Sequence, residues 1–257
     1  MTTLSTIASA LCDISGGKVI LKSKTASTND DAKVLALKGA PHGSLAVALA
    51  QTKGRGRLGR GFSSKKGGLY LSFLVRGSAA TDPAKLTLTA AVATARAIES
   101  LAPLSVGIKW VNDLHIAGKK CCGILVEGVY DGLSTMPVGA VVGIGINLSN
   151  PLPKELTDIA TSLKNQGATV SFSEMAVALT KELIASFEEN APFPIEEYRR
   201  RSVLTGKTVT VHSVDESYQA QVQGIDDDGS LLVLYQGETR RLSAGEVTLH
   251  QDPKKTV

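Results

Sequence analysis

The segment Gly54-Arg55-Gly56-Arg57-Leu58-Gly59-Arg60-Gly61 packs three arginines and four glycines into eight residues. Glycine lets a backbone approach a ligand closely and reach positive φ. Arginine presents a planar, permanently charged fork that matches phosphate and carboxylate. Together they describe a loop built to wrap an anion. A flexible basic tail could have the same composition, but apolar stretches flank this run, Ser44 to Ala50 before it and Leu69 to Val75 after it. It therefore reads as a loop between two strands, where binding residues concentrate.

Two further segments carry chemistry. Lys109-Trp110-Val111-Asn112-Asp113-Leu114 is followed closely by Lys119-Lys120-Cys121-Cys122-Gly123-Ile124. Trp110 alone suits a core as well as a ligand platform, and Asn112-Asp113 is a common turn dipeptide. Lys120 opens the apolar strand Cys121 to Val126, so its stem starts in a buried frame and its ammonium must find an anion or reach solvent. Gly143-Ile144-Gly145-Ile146-Asn147 places glycines inside a strand, a mark of close approach by a ligand or backbone. It does not fit the dinucleotide fingerprint, and no Gly-x-x-x-x-Gly-Lys-Ser/Thr phosphate loop is present. The four histidines are dispersed without ligand spacing; His42 and His115 read as surface residues in turns. Arg55, Arg57 and Lys120 are thus candidate cations in a site with no evident nucleophile or base. Such a site suits two bound substrates that react with each other while the protein positions them and stabilises charge. Phosphoryl and nucleotidyl transfer fit that description.

These segments need a scaffold. Strands are expected at Lys18 to Lys22, Gly43 to Ala50, Gly68 to Arg76, Val106 to Trp110, Lys119 to Val129 and Gly139 to Leu148, the last central because it is apolar throughout. A helix from about Asp30 to Lys38 is expected to start at a Ser27/Asp30 capping box and stop at Gly39. Asp82-Pro83 opens a second helix, with Leu86, Ala90, Ala93, Ala97 and Leu101 on its core face. Ser171 to Glu174 caps a third, with Ala176, Leu179, Leu183 and Phe187 at helical spacing. Beyond about Thr205 the segments shorten to 208–212, 218–224, 230–235, 239–242 and 246–249, with Asp226-Asp227-Asp228-Gly229 as a hairpin turn. That turn lacks the spacing and distal Glu of a calcium loop. The fold class expected is α+β, a mixed sheet flanked by helices, followed by a small all-β barrel. The domains are residues 1–203 and 204–257.

Bulk properties narrow the classes. The 257 residues carry a net charge of +4, too mild to demand nucleic acid. Aromatics are 4% of the chain and only Phe62 edges the basic run, so stacking platforms for a nucleic-acid module are lacking. Three cysteines form no complete paired set, and neighbouring Cys121 and Cys122 rarely bridge. The expectation is a reduced, cytoplasmic protein with no membrane segment.

Taken together the segments resemble one family, the biotin protein ligases. The resemblance rests on Ser27-Thr28-Asn29, Gln51 with Gly54 to Arg60, Lys109 to Leu114, Lys120 to Glu127 and Gly143 to Asn147, in order across roughly residues 20 to 150. The module after about 205 resembles that family's C-terminal SH3-like domain. The resemblance implies a catalytic domain related to class II aminoacyl-tRNA synthetases and lipoate ligases. It implies activation of biotin by ATP to biotinyl-5′-AMP and transfer to a lysine of a biotin carboxyl carrier domain. It assigns Ser27, Thr28, Asn29, Gln51, Arg55, Gly56, Arg57, Lys120 and Gly123 to biotin. Arg57, Arg60, Trp110, Asn112 and Asn147 fall to ATP or the adenylate, and Lys120 and Arg57 to catalysis. Mg²⁺ is expected with ATP, without a dedicated cage; Asp113 is placed for a metal or a structural role. A homodimer through the catalytic sheet is the assembly implied. About eighteen residues precede the first strand, too few for an operator-binding winged helix, so no operator binding is expected. The family commonly has Pro where Val111 stands, and its loss is expected to slacken that turn. Cys121-Cys122 replaces a more usual Leu-Ala pair and is expected to be inert core. A lipoate or octanoate ligase is the neighbouring alternative; a nucleic-acid-binding module is the distant one.

Overall fold

The computed structural model describes residues 3–212, 216–243 and 245–249. Its main sheet contains β1 (Val19–Lys22), β2 (Leu45–Ala48), β3 (Leu69–Val75), β4 (Gly107–Lys109), β5 (Asp113–Ile116), β6 (Lys119–Val129) and β7 (Gly139–Ile146). Their spatial order is β1-β2-β3-β7-β6-β5-β4. The β1–β2 pair is parallel and the remaining pairs are antiparallel, so the sheet is mixed. β3 and β7 are buried at every position, which is why both read as continuous apolar runs.

The helices are α1 (Leu4–Ser15), α2 (Thr28–Leu37), α3 (Pro83–Leu101), α4 (Phe172–Ser186) and α5 (Ile195–Arg201). Alternation along the strands divides the core in two. Leu45, Val47, Leu71, Phe73, Val142 and Ile144 join the larger cluster with α1, α3 and α4. Ala46, Leu74 and Val141 join Ala32, Leu35 and Ala36 of α2 in a smaller one. Sheet and helices therefore form layers, with α2 across the sheet from the main helical layer. Among the described residues, no helix is long and apolar enough to cross a membrane.

The second sheet is antiparallel, with β8 (Thr208–His212), β9 (Ser217–Ile225), β10 (Leu231–Tyr235), β11 (Glu238–Leu242) and β12 (Glu246–Leu249) in the order β11-β10-β9-β8-β12. Its Val209, Val211, Val222, Leu231, Val233 and Val247 continue the larger core. Residues 250–257, part of the expected C-terminal domain, lie outside the described residues.

Several expectations are corrected. Helix α1 was not expected; Thr3 caps it by accepting from Thr6 N, and Gly16 ends it at φ 62°. Helix α2 starts two residues before Asp30, and Ser27 makes no side-chain cap bond; the Asp30 carboxylate is drawn to Arg55 instead. Leu101 is 36% exposed, because it ends α3 where the core face runs out. Strand β5 was hidden behind the Asn112-Asp113 turn signal. Ala117 and Gly118, both at positive φ, make the tight turn that returns it to β6. His42 and His115 are half-buried rather than on the surface. The His42 ring meets Phe73 edge-on and its Nδ1 accepts from Arg76 N. His115 Nε2 is buried without a hydrogen bond.

Candidate active site

A single cavity gathers the motif segments. It is lined by the start of α2, the Gly/Arg loop, the 109–113 turn and the near ends of β6 and β7, with Gly245 and Val247 from the C-terminal sheet. Of the residues singled out in the sequence, Ser27, Thr28, Asn29, Gln51, Arg55, Gly56, Arg57, Arg60, Trp110, Asn112, Asp113, Lys120 and Gly123 all line it. Asn147 does not. Its Nδ2 donates to Thr161 O at 3.1 Å and its Oδ1 accepts from Asn150 Nδ2 at 3.0 Å. It ties the end of β7 to the 161 segment, which itself pairs with the backbone of Lys120.

One end of the cavity is a hydrogen-bond network. Gln51 Oε1 accepts from Thr28 N at 2.7 Å and Thr28 Oγ at 3.1 Å, while Gln51 Nε2 donates to Ser64 Oγ at 2.9 Å. Ser72 Oγ, fully buried on β3, lies 2.6 Å from Asn29 Oδ1 and 2.8 Å from Thr28 Oγ. Polar side chains this buried hold one arrangement because each lost partner leaves an unpaired group.

Arg55 corrects the reading of the loop as three anion-seeking arginines. Its guanidinium grips both oxygens of Asp30, at 2.6 and 2.9 Å, and reaches Glu127 at 3.2 Å. The charge is answered within the protein, so Arg55 braces the loop. The Arg55 hydrogen bond holds the Asp30 carboxyl below its usual range. Burial works to raise Glu127, but hydrogen bonds from Lys33 and Asn29 outweigh it and hold that carboxyl low.

The cationic end is built from Arg57 and Lys120. Arg57 Nη1 donates to Asn112 Oδ1 at 3.3 Å and its Nη2 to Gly245 O at 3.1 Å. Lys120 Nζ lies 2.7 Å from Asp113 Oδ1 and 5.8 Å from the centre of the Phe62 ring. The Asp113–Lys120 contact is an ion pair without the alignment of a hydrogen bond, since Asp113 Oδ1 has no hydrogen-bond partner. The 109–113 turn is tied rather than slack. Tyr198 Oη donates to Val111 O at 3.0 Å, and Asn112 Nδ2 donates to Ile124 O at 2.8 Å. Trp110 is 5% exposed, and its Nε1 donates to Gly229 O of the C-terminal sheet at 2.9 Å. Cys121 and Cys122 are fully buried. Burial pushes the Cys121 thiol up to about 12 and raises Cys122 as well, which keeps both out of thiolate chemistry.

Between the two ends runs an apolar strip in which strand glycines make room for side chains. A Cβ at Gly143 would stand 2.1 Å from Asn29 Oδ1, and one at Gly145 would stand 2.5 Å from Phe62 Cε1. The close approach foreseen at these glycines is made by the site's own residues. Phe62, Glu127, Gly245 and Val247 were not singled out as site residues. Phe62 had a signal, as the aromatic edging the basic run. Glu127 had one too, as an acid inside an apolar strand. The C-terminal residues had none.

Among the described residues no cluster of three or more His, Cys, Asp or Glu could hold a metal ion. Asp113 is the one carboxylate among the described lining residues. That set fits Mg²⁺ carried on substrate phosphates with a single protein carboxylate, and no all-protein cage. The arrangement can hold a molecule with a polar head at the Thr28–Asn29–Gln51 end and an anionic group between Arg57 and Lys120.

Comparison with known proteins agrees. Residues 17–147 match the Biotin/lipoate A/B protein ligase family, and residues 204–249 match the biotin protein ligase C-terminal domain. The chain is 32% identical over 250 residues to the bifunctional ligase/repressor BirA of Bacillus spizizenii, covering 92% of this chain and 75% of that one. It is 33% identical over 241 residues to the biotin–[acetyl-CoA-carboxylase] ligase of Mycobacterium tuberculosis, covering 87% and 86%. The biotin protein ligase of Aquifex aeolicus, solved with biotin and ATP, superposes with a TM-score of 0.78 at 28% identity, covering 91% of this chain and 99% of that one. The chain belongs to the biotin/lipoate A/B protein ligase family and carries the C-terminal domain of its biotin protein ligases.

Proposed function

We propose that this protein is an ATP-dependent biotin protein ligase working in two steps. In the first, the biotin carboxylate attacks the α-phosphorus of ATP, giving biotinyl-5′-AMP and pyrophosphate. In the second, the amine of a lysine on a biotin carboxyl carrier domain attacks the acyl carbon, forming an amide and releasing AMP. The observation that carries this reading is the cavity itself: a preset hydrogen-bonding end, an apolar strip and a pair of cations, with no nucleophile required of the protein.

Thr28, Asn29, Ser27 and Gln51 take the ring system of biotin, with Arg55, Gly56 and Gly123 shaping its pocket. Arg57 and Lys120 face the carboxylate and the α-phosphate and stabilise the charge gathered at phosphorus. A preset contact of that kind typically contributes on the order of 3 kcal/mol to the barrier. Arg60, Trp110 and Asn112 serve the nucleotide, and Asn147 supports that side from outside the cavity. Mg²⁺ on the phosphates would neutralise charge, with Asp113 as its carboxylate. Residues 1–203 form the catalytic domain and 204–257 the C-terminal domain. That boundary is supported by the change of sheet between α5 and Thr208. The free thiols of Cys12, Cys121 and Cys122 suit a reducing cytoplasm.

Biotin-dependent exchange of labelled pyrophosphate into ATP, run beside lipoate and octanoate, tests the reading. Exchange with biotin alone is expected; exchange with lipoate or octanoate instead would move the substrate to the other branch of the family.

A further inference from the structure

Glu127 lies on β6, on the strand face that carries Gly123 and Leu125, just past the end of the cavity that it does not line. Its carboxylate collects three donors from two separate segments: Asn29 Nδ2 at 2.6 Å, Lys33 Nζ at 2.6 Å and Arg55 Nη2 at 3.2 Å. A carboxylate in an apolar strand, three-quarters covered, contributes little stability compared with a well-packed apolar residue. What it does contribute is direction. Two of its donors belong to residues that line the cavity.

Asn29 is held from both sides. Glu127 takes its Nδ2, and the hydroxyl of Ser72 faces its Oδ1 at 2.6 Å. A flipped amide would turn its oxygen toward a carboxylate. Arg55 is held by Glu127 on β6 and by Asp30 on α2, which pins the base of the Gly/Arg loop to two elements. We propose that Glu127 is the positioning residue of the biotin end of the site: it sets the Asn29 amide and anchors the Gly/Arg loop through Arg55. The proposal rests on the ligase reading for its substrate and on geometry alone for the anchor.

Glu127→Gln keeps the size but removes the charge and puts an amide NH2 where one of the two accepting oxygens stood, either at the oxygen shared by Asn29 and Arg55 or at the one that takes Lys33. The KM for biotin should rise about tenfold, the loss of one charge-assisted hydrogen bond, while kcat and the KM for ATP stay near wild type. Glu127→Asp keeps the charge on a shorter stem and should fall between, which preserves a test if the Gln variant fails to fold. Glu99→Gln, which breaks a pair with Arg201 between residues that do not line the cavity, should leave the KM for biotin unchanged and serves as the structural control. Trypsin cleavage after Arg57 and Arg60 in ligand-free protein should be faster in Glu127→Gln than in wild type or Glu99→Gln. An unaltered biotin KM together with unaltered loop cleavage in folded Glu127→Gln would overturn the proposal, as would equal rises in the KM for biotin and ATP. Because cleavage is read without substrate, it decides the anchor even if wild type exchanges no pyrophosphate with biotin, a result that would sink the ligase reading alone.

Discussion

Lys120 Nζ stands 2.7 Å from Asp113 Oδ1 across the β5–β6 hairpin, although Lys120 pairs in register with His115 and Asp113 with Gly123, and both side chains line the cavity. The register of that hairpin holds the ammonium at the mouth of the apolar strip, beside Phe62. Lys120→Ala should lower biotin-dependent pyrophosphate exchange by on the order of 10²–10³-fold with an unchanged fold, the usual effect of removing one preset charge contact. Near-wild-type exchange from folded Lys120→Ala would take Lys120 out of the mechanism.

Gly145 should tolerate no side chain. A Cβ there would stand 2.5 Å from Cε1 of Phe62, and one at Gly123 on β6 would stand 3.1 Å from Cε2 of the same ring. Gly145→Ala should cost about 1–3 kcal/mol of stability by overpacking and should raise the KM for biotin by displacing the ring. Denaturant unfolding and steady-state kinetics on one preparation check both halves, and a variant matching wild type in each would show that Phe62 has room to move.

The Trp110 indole joins the two sheets. Trp110→Phe removes the donor to Gly229 O and leaves a buried carbonyl unpaired, for an expected loss of about 1–3 kcal/mol. Amide hydrogen exchange should quicken at the Asp226–Ser230 turn, which docks there. Protection equal to wild type in that turn would mean that other contacts hold the C-terminal sheet.

Stability should fall with acid in two stages. Burial lowers His42 and His115 from the ordinary 6.5. The folded protein therefore binds fewer protons than the unfolded chain, and the contribution of both rings is full above pH 6.5 and declines below it. Burial works to raise Glu99, Glu127 and Glu197, yet hydrogen bonds from Arg201, Lys33 and Arg96 hold all three below the ordinary 4.5. Their contribution is present above 4.5 and is lost as pH falls through the lower folded values. Tm measured from pH 8 to 3 should therefore dip gently below 6.5 and steeply below 4.5. A flat profile across both windows would contradict the assignment.

Much of the site was legible because its residue types are unusual for their context. Alternating Gly and Arg, a lysine at the head of an apolar strand and glycines inside a buried one each violate what packing alone would select. The strands β3 and β7 were legible for the opposite reason, since continuous burial leaves a continuous apolar run. Helix α1 and strand β5 were not, because a short amphipathic start and a turn-like Asn-Asp pair carry little local signal.

The sequence by itself determined which groups are available: the cations, the hydrogen-bonding trio at 27–29, Gln51 and the glycines that permit close approach. Only the tertiary structure decided how each is used. It pairs Arg55 with Asp30 and Glu127, leaves Arg57 and Lys120 toward the cavity, and carries Asn147 out of it. It also brings Gly245 and Gly229 from the C-terminal sheet to Arg57 and Trp110. The physical reason is range. A residue's chemistry and its local propensity travel with the chain, whereas the partner that answers a charge arrives from segments distant in sequence, 72 residues away for Arg55 and Glu127 and 188 for Arg57 and Gly245.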